Sequence, residues 1–134
     1  MSTKIFVNLP VKNLDRSKNF FSHLGMSFDP QFSDDKAACL VISDDIYAML
    51  LTEPFFSSFT GKDIADTSTA TEAIVSLEQD SKAEVDRIGD AAVEAGAKVV
   101  KETAEQSPMY TRSFYDPDGH HWEIFTMDRA AMKG

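Results

Sequence analysis

The residues best suited to chemistry stand near the C-terminal end, where Asp116-Pro117-Asp118-Gly119 leads into His120, His121, Trp122, Glu123, Ile124 and Phe125. The tetrapeptide is a turn with a reason at each position. Asp hydrogen-bonds onward, Pro presets φ, and Gly ends the turn at little steric cost. A strand starting there places Trp122 and Ile124 on one face and His121, Glu123 and Phe125 on the other. A carboxylate among apolar residues needs a partner or a task. As a candidate base, Glu123 accepts a proton from a bound substrate. As a plain acceptor it bonds to Asn8, His121 or a Tyr hydroxyl and orients a ligand. Tyr110, Arg112 and Tyr115 flank the approach to the motif, and Arg112 suits either a ligand carboxylate or a surface salt bridge.

Metal chemistry meets a thin donor set. His23, His120 and His121 are the only histidines. His120 and His121 are adjacent on a strand and so point to opposite faces. His23 falls near the C-terminal end of a predicted helix, where the helix dipole favours it. His121 and Glu123, joined by Glu53 or Glu72, are the remaining route to a hard divalent ion. Glu53, however, is three residues from Leu50 and belongs to the other face of an unbulged strand.

The elements that must position these groups follow from periodicity. Ile5, Val7, Leu9 and Val11 alternate with Phe6, Asn8 and Pro10, which is a half-buried strand. Asn13 caps a helix whose Leu14, Ser17, Phe20, Phe21 and Leu24 fall on one side, and Gly25 ends it. Strands are expected at about 26–32, 37–43 and 46–52, with a hairpin turn at Ser43-Asp44-Asp45. Residues 53–71, containing Phe55, Phe56 and Phe59, have no sustained period and read as a connector; the three rings suit a dimer contact or a pocket wall. A strand over Ala73 to Leu77 precedes a capping box at Ser81-Lys82-Ala83-Glu84 and a helix carrying Val85, Ile88, Ala92 and Ala95, closed by Gly96. Strands at 98–101, 111–115 and 121–127 complete a second β-α-β-β-β series. The fold class expected is α+β, one domain over 1–134, with module one at about 1–55 and module two at about 72–128.

Composition narrows the partners. The chain has 134 residues, 43% hydrophobic and 26% charged, which are ordinary values for a globular protein. A formal net charge of −9, from 13 Lys and Arg against 22 Asp and Glu, opposes binding to nucleic acid or an anionic membrane surface. Cys39, the single cysteine, sits in the apolar run Ala37 to Ile42 and reads as a buried thiol. A lone cysteine and an N-terminus without a signal-like apolar segment predict a cytoplasmic protein.

Asn13-Leu14-Asp15-Arg16-Ser17, Phe20-Phe21, Leu24-Gly25-Met26, Asp116-Pro117-Asp118-Gly119 and Trp122-Glu123-Ile124 together resemble the vicinal oxygen chelate superfamily. That superfamily includes glyoxalase I, bleomycin-resistance proteins and extradiol dioxygenases; within it the chain is similar to bacterial proteins labelled predicted lactoylglutathione lyases. The resemblance implies two βαβββ modules in an open, curled mixed sheet around a cleft, and a homodimer. In the metalloenzymes, four side chains from the first and last strands of each module hold a divalent ion. Those positions match Phe6, Leu50, a residue at or near Ala73, and Glu123, and only Glu123 can ligate. No metal or cofactor is therefore expected. The implied pocket holds Phe6, Asn8, Leu50, Ala73, Tyr110, Arg112, His121 and Phe125 around Glu123. Two functions fit: a lyase or isomerase acting on a small carbonyl compound or thiol adduct, or a protein that sequesters a small molecule in the bleomycin-resistance manner.

Overall fold

Strand β1 (Ile5–Val11) runs into Asn13, whose side chain accepts a hydrogen bond from the Arg16 backbone N–H and so starts helix α1 (Leu14–His23). The helix stops before Gly25, whose φ of 89° suits glycine alone among common residues. Strand β2 (Ser27–Asp29) is shorter than the sequence suggests, because Pro30 opens a 3₁₀ turn over Pro30–Phe32. Strands β3 (Ala37–Ser43) and β4 (Ile46–Thr52) form the expected hairpin. A short helix α2 (Glu53–Ser57) follows where a connector was expected; Pro54 in its first turn has no N–H to lose there. The sheet order is β1-β4-β3-β2, with β1 parallel to β4 and the other pairs antiparallel.

This is a computed structural model, and it describes residues 3–100, 104–106 and 109–132. The chain divides into two compact units at Asp66/Thr67. The second unit holds β5 (Ile74–Glu78), α3 (Lys82–Glu94), β6 (Lys98–Val99), β7 (Ala104–Gln106), β8 (Met109–Tyr115), β9 (His121–Met127) and α4 (Arg129–Met132). Its order is β5-β9-β8-β6, with β7 also paired to β8 and β5 parallel to β9. Ser81 caps α3 by accepting from the Glu84 N–H, while the Glu84 carboxylate turns to Arg87 instead of closing the box. The expected strand at 98–101 ends at Val99, and a further short strand, β7, follows at Ala104–Gln106 where none was expected. The first half thus keeps the βαβββ order, the second keeps it with the short β7 added between β6 and β8, and the fold is α+β with two open mixed sheets.

Each half has its own core between helix and sheet. In the first, Phe20, Phe21 and Leu24 bury against a sheet face carrying Leu9, Val11, Leu40, Ala48 and Leu50. In the second, Val85, Ile88 and Ala92 bury with Phe114, Trp122 and Ile124. Cys39 is 1% exposed, and burial, with the Asp29 charge adding to it, pushes its thiol up from 9.0.

Candidate functional site

Strand pairing decides which side chains share a face. In the second half, Ser76 on β5 pairs with Glu123 on β9, which pairs with Ser113 on β8. Directly paired residues project to the same side, so Ser76, Glu123 and Ser113 form one row on the face away from α3. The Ser76 hydroxyl donates to Glu123 Oε1 at 3.1 Å. The row before it is Ile74, His121, Tyr115 and, on β6, Lys98; the row after it is Glu78, Phe125 and Thr111. His121 meets the Tyr115 ring edge-on at 5.5 Å between centroids. Its Nε2 is fully buried and has no hydrogen-bond partner among the described residues. Glu78 is held by Arg129 at 2.5 Å. Glu123 therefore keeps His121 and Phe125 as face companions, as its alternation indicates. Its bonded neighbour is Ser76, not the expected Asn8, His121 or tyrosine.

Two residues expected in the pocket lie on the opposite face. Arg112 pairs with Ile124, and Phe114 with Trp122, so β8 turns Arg112 toward α3. There its Nη1 reaches Asp90 at 2.7 Å and Asp86 at 3.4 Å, and Tyr110 donates its hydroxyl to Asp86 at 2.6 Å. Burial works against the Arg112 charge, but the hydrogen bonds and charges of Asp90 and Asp86 outweigh it and hold the guanidinium pKa above its ordinary value. The bulk of Arg112 fits only because position 89 is glycine: a Cβ there would lie 2.6 Å from Arg112 Nε. Arg112 is a salt-bridged clamp between helix and sheet rather than a ligand grip.

The first half corrects two more positions. Leu50 pairs with Leu9 on β1 and is 0% exposed, so it belongs to the helix-facing core. On the far face with Phe6 and Asn8, β4 puts Tyr47, Met49 and Leu51, and Met49 is the one paired with Asn8 and with Cys39. Asn8 precedes its cap Asn13 by the same five residues that separate Ser76 from Ser81. The matched pairs are thus Asn8–Met49 and Ser76–Glu123. Ala73 falls one residue short of β5 and is exposed, leaving Ser76 opposite Glu123. Phe6 is 48% exposed and stacks flat on Tyr47, 4.6 Å between centroids and 9° between planes. A dry apolar lining built from Phe6, Leu50 and Ala73 is not what these positions provide.

The Asp116 turn supports the face without belonging to it. Asp116 Oδ1 accepts from the backbone N–H groups of Asp118 and His120, and Oδ2 accepts from the Trp122 indole at 2.9 Å. Burial pushes its carboxyl above 3.8, against the opposing pull of His120, Trp122 and the two N–H groups. Thr67 donates to the Asp118 carbonyl and fills the space beside Gly119, whose φ is 82°. His120 is buried at 4% exposure and contacts Glu72 through Nδ1 at 3.2 Å.

These positions do not fit a divalent ion. Neither Met49 nor Ser76 is the hard anionic or imidazole donor that such an ion requires beside Glu123. Glu72 is engaged by His120, and Glu53 has entered α2. Among the described residues no three His, Cys, Asp or Glu side chains converge. Sequence reasoning missed Ser76 and Ser113; the equal spacing from strand to helix cap in both halves was the available signal for Ser76. No helix among the described residues is long and apolar enough to cross a membrane.

Comparison with known proteins places this architecture. No curated protein matches the chain. The hypothetical protein SA1046 from S. aureus has 27% identity and a TM-score of 0.79, the match covering 94% of this chain and 95% of that one. The fosfomycin resistance protein FosX from Mesorhizobium loti has 15% identity and a TM-score of 0.71 over 100% and 99% of the two chains. TnmS3, an antibiotic binding protein from Streptomyces sp. CB03234, has 16% identity and a TM-score of 0.68 over 96% and 98%. A family model matches residues 5–124, nearly the whole chain, and by that match the protein belongs to the Glyoxalase/Bleomycin resistance protein/Dioxygenase superfamily.

Proposed function

We propose that this protein binds a small organic molecule without a metal ion, on the face of its second half that carries Glu123, and holds it rather than converting it. The row Ser76–Glu123–Ser113 carries this reading: one carboxylate, oriented by a serine hydroxyl at 3.1 Å, with no second ligating side chain paired to it. The names of two structural neighbours, a fosfomycin resistance protein and an antibiotic binding protein, support it by analogy. A second reading, a lyase or isomerase for a small carbonyl compound or thiol adduct with Glu123 as base, has one observation in its favour. Among the described residues, Glu78, the other carboxylate of this face, is engaged by a cation, whereas Glu123 is not. We also read the protein as a cytoplasmic homodimer, given its buried lone cysteine and the exposed Phe59 packed on Phe55.

The test is a thermal-shift screen of antibiotics and carbonyl metabolites, run with a turnover assay on the methylglyoxal–glutathione hemithioacetal. Stabilisation by at least one compound, unchanged by chelator, is the expected result. Turnover above a Glu123→Ala control in the presence of Ni²⁺, Zn²⁺, Mn²⁺ or Mg²⁺ would replace this reading with the enzymatic one. Sedimentation velocity checks the dimer.

A further inference from the structure

We infer that the molecule held at Glu123 is an uncharged polyhydroxylated one, a saccharide or cyclitol ring, recognised through its hydroxyl protons. The inference rests on the proposed binding function and adds the chemical class of the ligand to it. Its basis is the balance of donors and acceptors on the face of the second half that carries Glu123.

Three acceptors stand there. The Glu123 carboxylate, acceptor-only when ionised, takes the Ser76 proton on Oε1 at 3.1 Å and has Oε2 to offer a ligand. Ser76 has given its one proton to Glu123, so its Oγ meets a ligand with lone pairs only. The third is His121 Nε2, fully buried and without a hydrogen-bond partner among the described residues. A closed-off N–H is harder to tolerate than a closed-off lone pair, so the ring proton is assigned to Nδ1 and Nε2 accepts.

These acceptors are spread over two strands and two rows. Ser76 and Glu123 are paired, about 4.8 Å apart across the sheet, and His121 is two residues back along β9, roughly 7 Å from Glu123. A lone ammonium nitrogen or a single hydroxyl cannot serve all three. A ring carrying several hydroxyls can, because each hydroxyl gives one proton and the ring holds them at fixed intervals. The bonds also reinforce one another: a hydroxyl that donates to Ser76 Oγ strengthens the bond that Ser76 makes to Glu123.

The apolar side of the face fits the same class. Tyr115 meets His121 edge-on with centroids 5.5 Å apart, and Phe125 is the next residue on the face beyond Glu123. Ring faces carry the negative part of the aromatic quadrupole and attract the C–H groups that line a saccharide ring. Rotation of Tyr115, the ring packed on His121, would give a ligand hydroxyl access to Nε2. Satisfying that orphan recovers the cost of leaving it unpaired.

Methyl β-D-glucopyranoside, methyl β-D-galactopyranoside and myo-inositol are the probes, titrated into the ¹⁵N-labelled full chain and followed by backbone amide shifts. At least one should bind, with saturating shifts on β5 and β9. Its fully O-methylated form, which keeps the oxygens and loses every donor, should not bind. Against the same probe Glu123→Gln should weaken binding roughly tenfold, and His121→Phe, which keeps a ring against Tyr115, roughly fivefold, as expected for one charged and one neutral hydrogen bond. Tyr110→Phe, on the opposite face, should leave the affinity unchanged. Equal binding of the O-methylated form, full affinity in Glu123→Gln or in His121→Phe, or tighter binding of benzyltrimethylammonium than of all three polyols overturns the inference. So does a lack of binding by all three. In that case a hit in the thermal-shift screen still upholds the binding function, so the two readings fail separately.

Discussion

The two halves share a frame and differ in what they hang on it. In the first, the row on the face away from the helix is Asn8, Met49 and Cys39: an amide, a thioether and a thiol. In the second, the corresponding row is Ser76, Glu123 and Ser113: a carboxylate between two hydroxyls. Volume is exchanged as well. The first half puts its large rings on the helix, Phe20 and Phe21, against Ala48 and Leu50 of the sheet. The second puts Trp122 and Phe114 on the sheet and leaves Ala92 and Gly89 on the helix. Strand pairing and helix caps are therefore what the repeated arrangement keeps. Which layer supplies the bulk, and which half supplies the charge, is free to change so long as the core stays filled.

The largest effect should come from emptying either core. Trp122→Ala and Phe21→Ala should each cost about 4 kcal/mol in urea unfolding. Trp122 should be the more costly, because its loss also leaves the buried Asp116 Oδ2 without its indole donor; the reverse ranking would break the exchange of volume between layers. Next is the small residue that permits this exchange. Gly89→Ala alone should yield no stability, since the new methyl displaces Arg112 from Asp86 and Asp90. In an Arg112→Ala background the same change should stabilise by about 1 kcal/mol through helix propensity. The caps should then behave alike: Asn13→Ala and Ser81→Ala each remove one acceptor from a helix N–H and should each cost about 1 kcal/mol. A large difference between them would mean that the frame is not equally kept.

The smallest effect is in acid. Burial holds the Asp116 carboxyl above 3.8, so the folded chain binds that proton more tightly than the unfolded one. The stability this contributes is complete below 3.8 and is lost as pH rises through the higher folded value. Asp116→Asn removes the titration, and the stability of wild type minus that of the variant should shrink as pH climbs through this window. The first half has no counterpart to this turn, so a matched change at Asn13 should show no such slope.

Much of this frame was legible because its signals are local. Strands 37–43, 46–52 and 121–127, the Asn13 and Ser81 caps and the glycine stops were all readable from alternation and turn chemistry. The phase of β4 was not. Met49, Leu50 and Leu51 are all apolar, so their own pattern says nothing about which of them shares a face with Asn8; only pairing to β1 decides it. Tyr110 was placed on the wrong face, and Arg112 was left between a ligand and a salt bridge, for a related reason, since the face of β8 is fixed by its register on β9. Asp86 and Asp90, four apart on a helix, were the visible sign that a cation would be needed on that side. Helix α2 escaped notice because it spans only Glu53–Ser57, and β5 starts one residue later than its apolar run.

Cys39 and Trp122 are the sole cysteine and tryptophan of the chain, and each lies almost wholly buried in a different half. The protein thus carries two built-in reporters that need no engineering. Attack by a thiol reagent times the opening of the first half, and indole fluorescence follows the second. Equal opening rates would mean that the two halves melt as one cooperative body. Separate rates would mean that each half is its own folding unit.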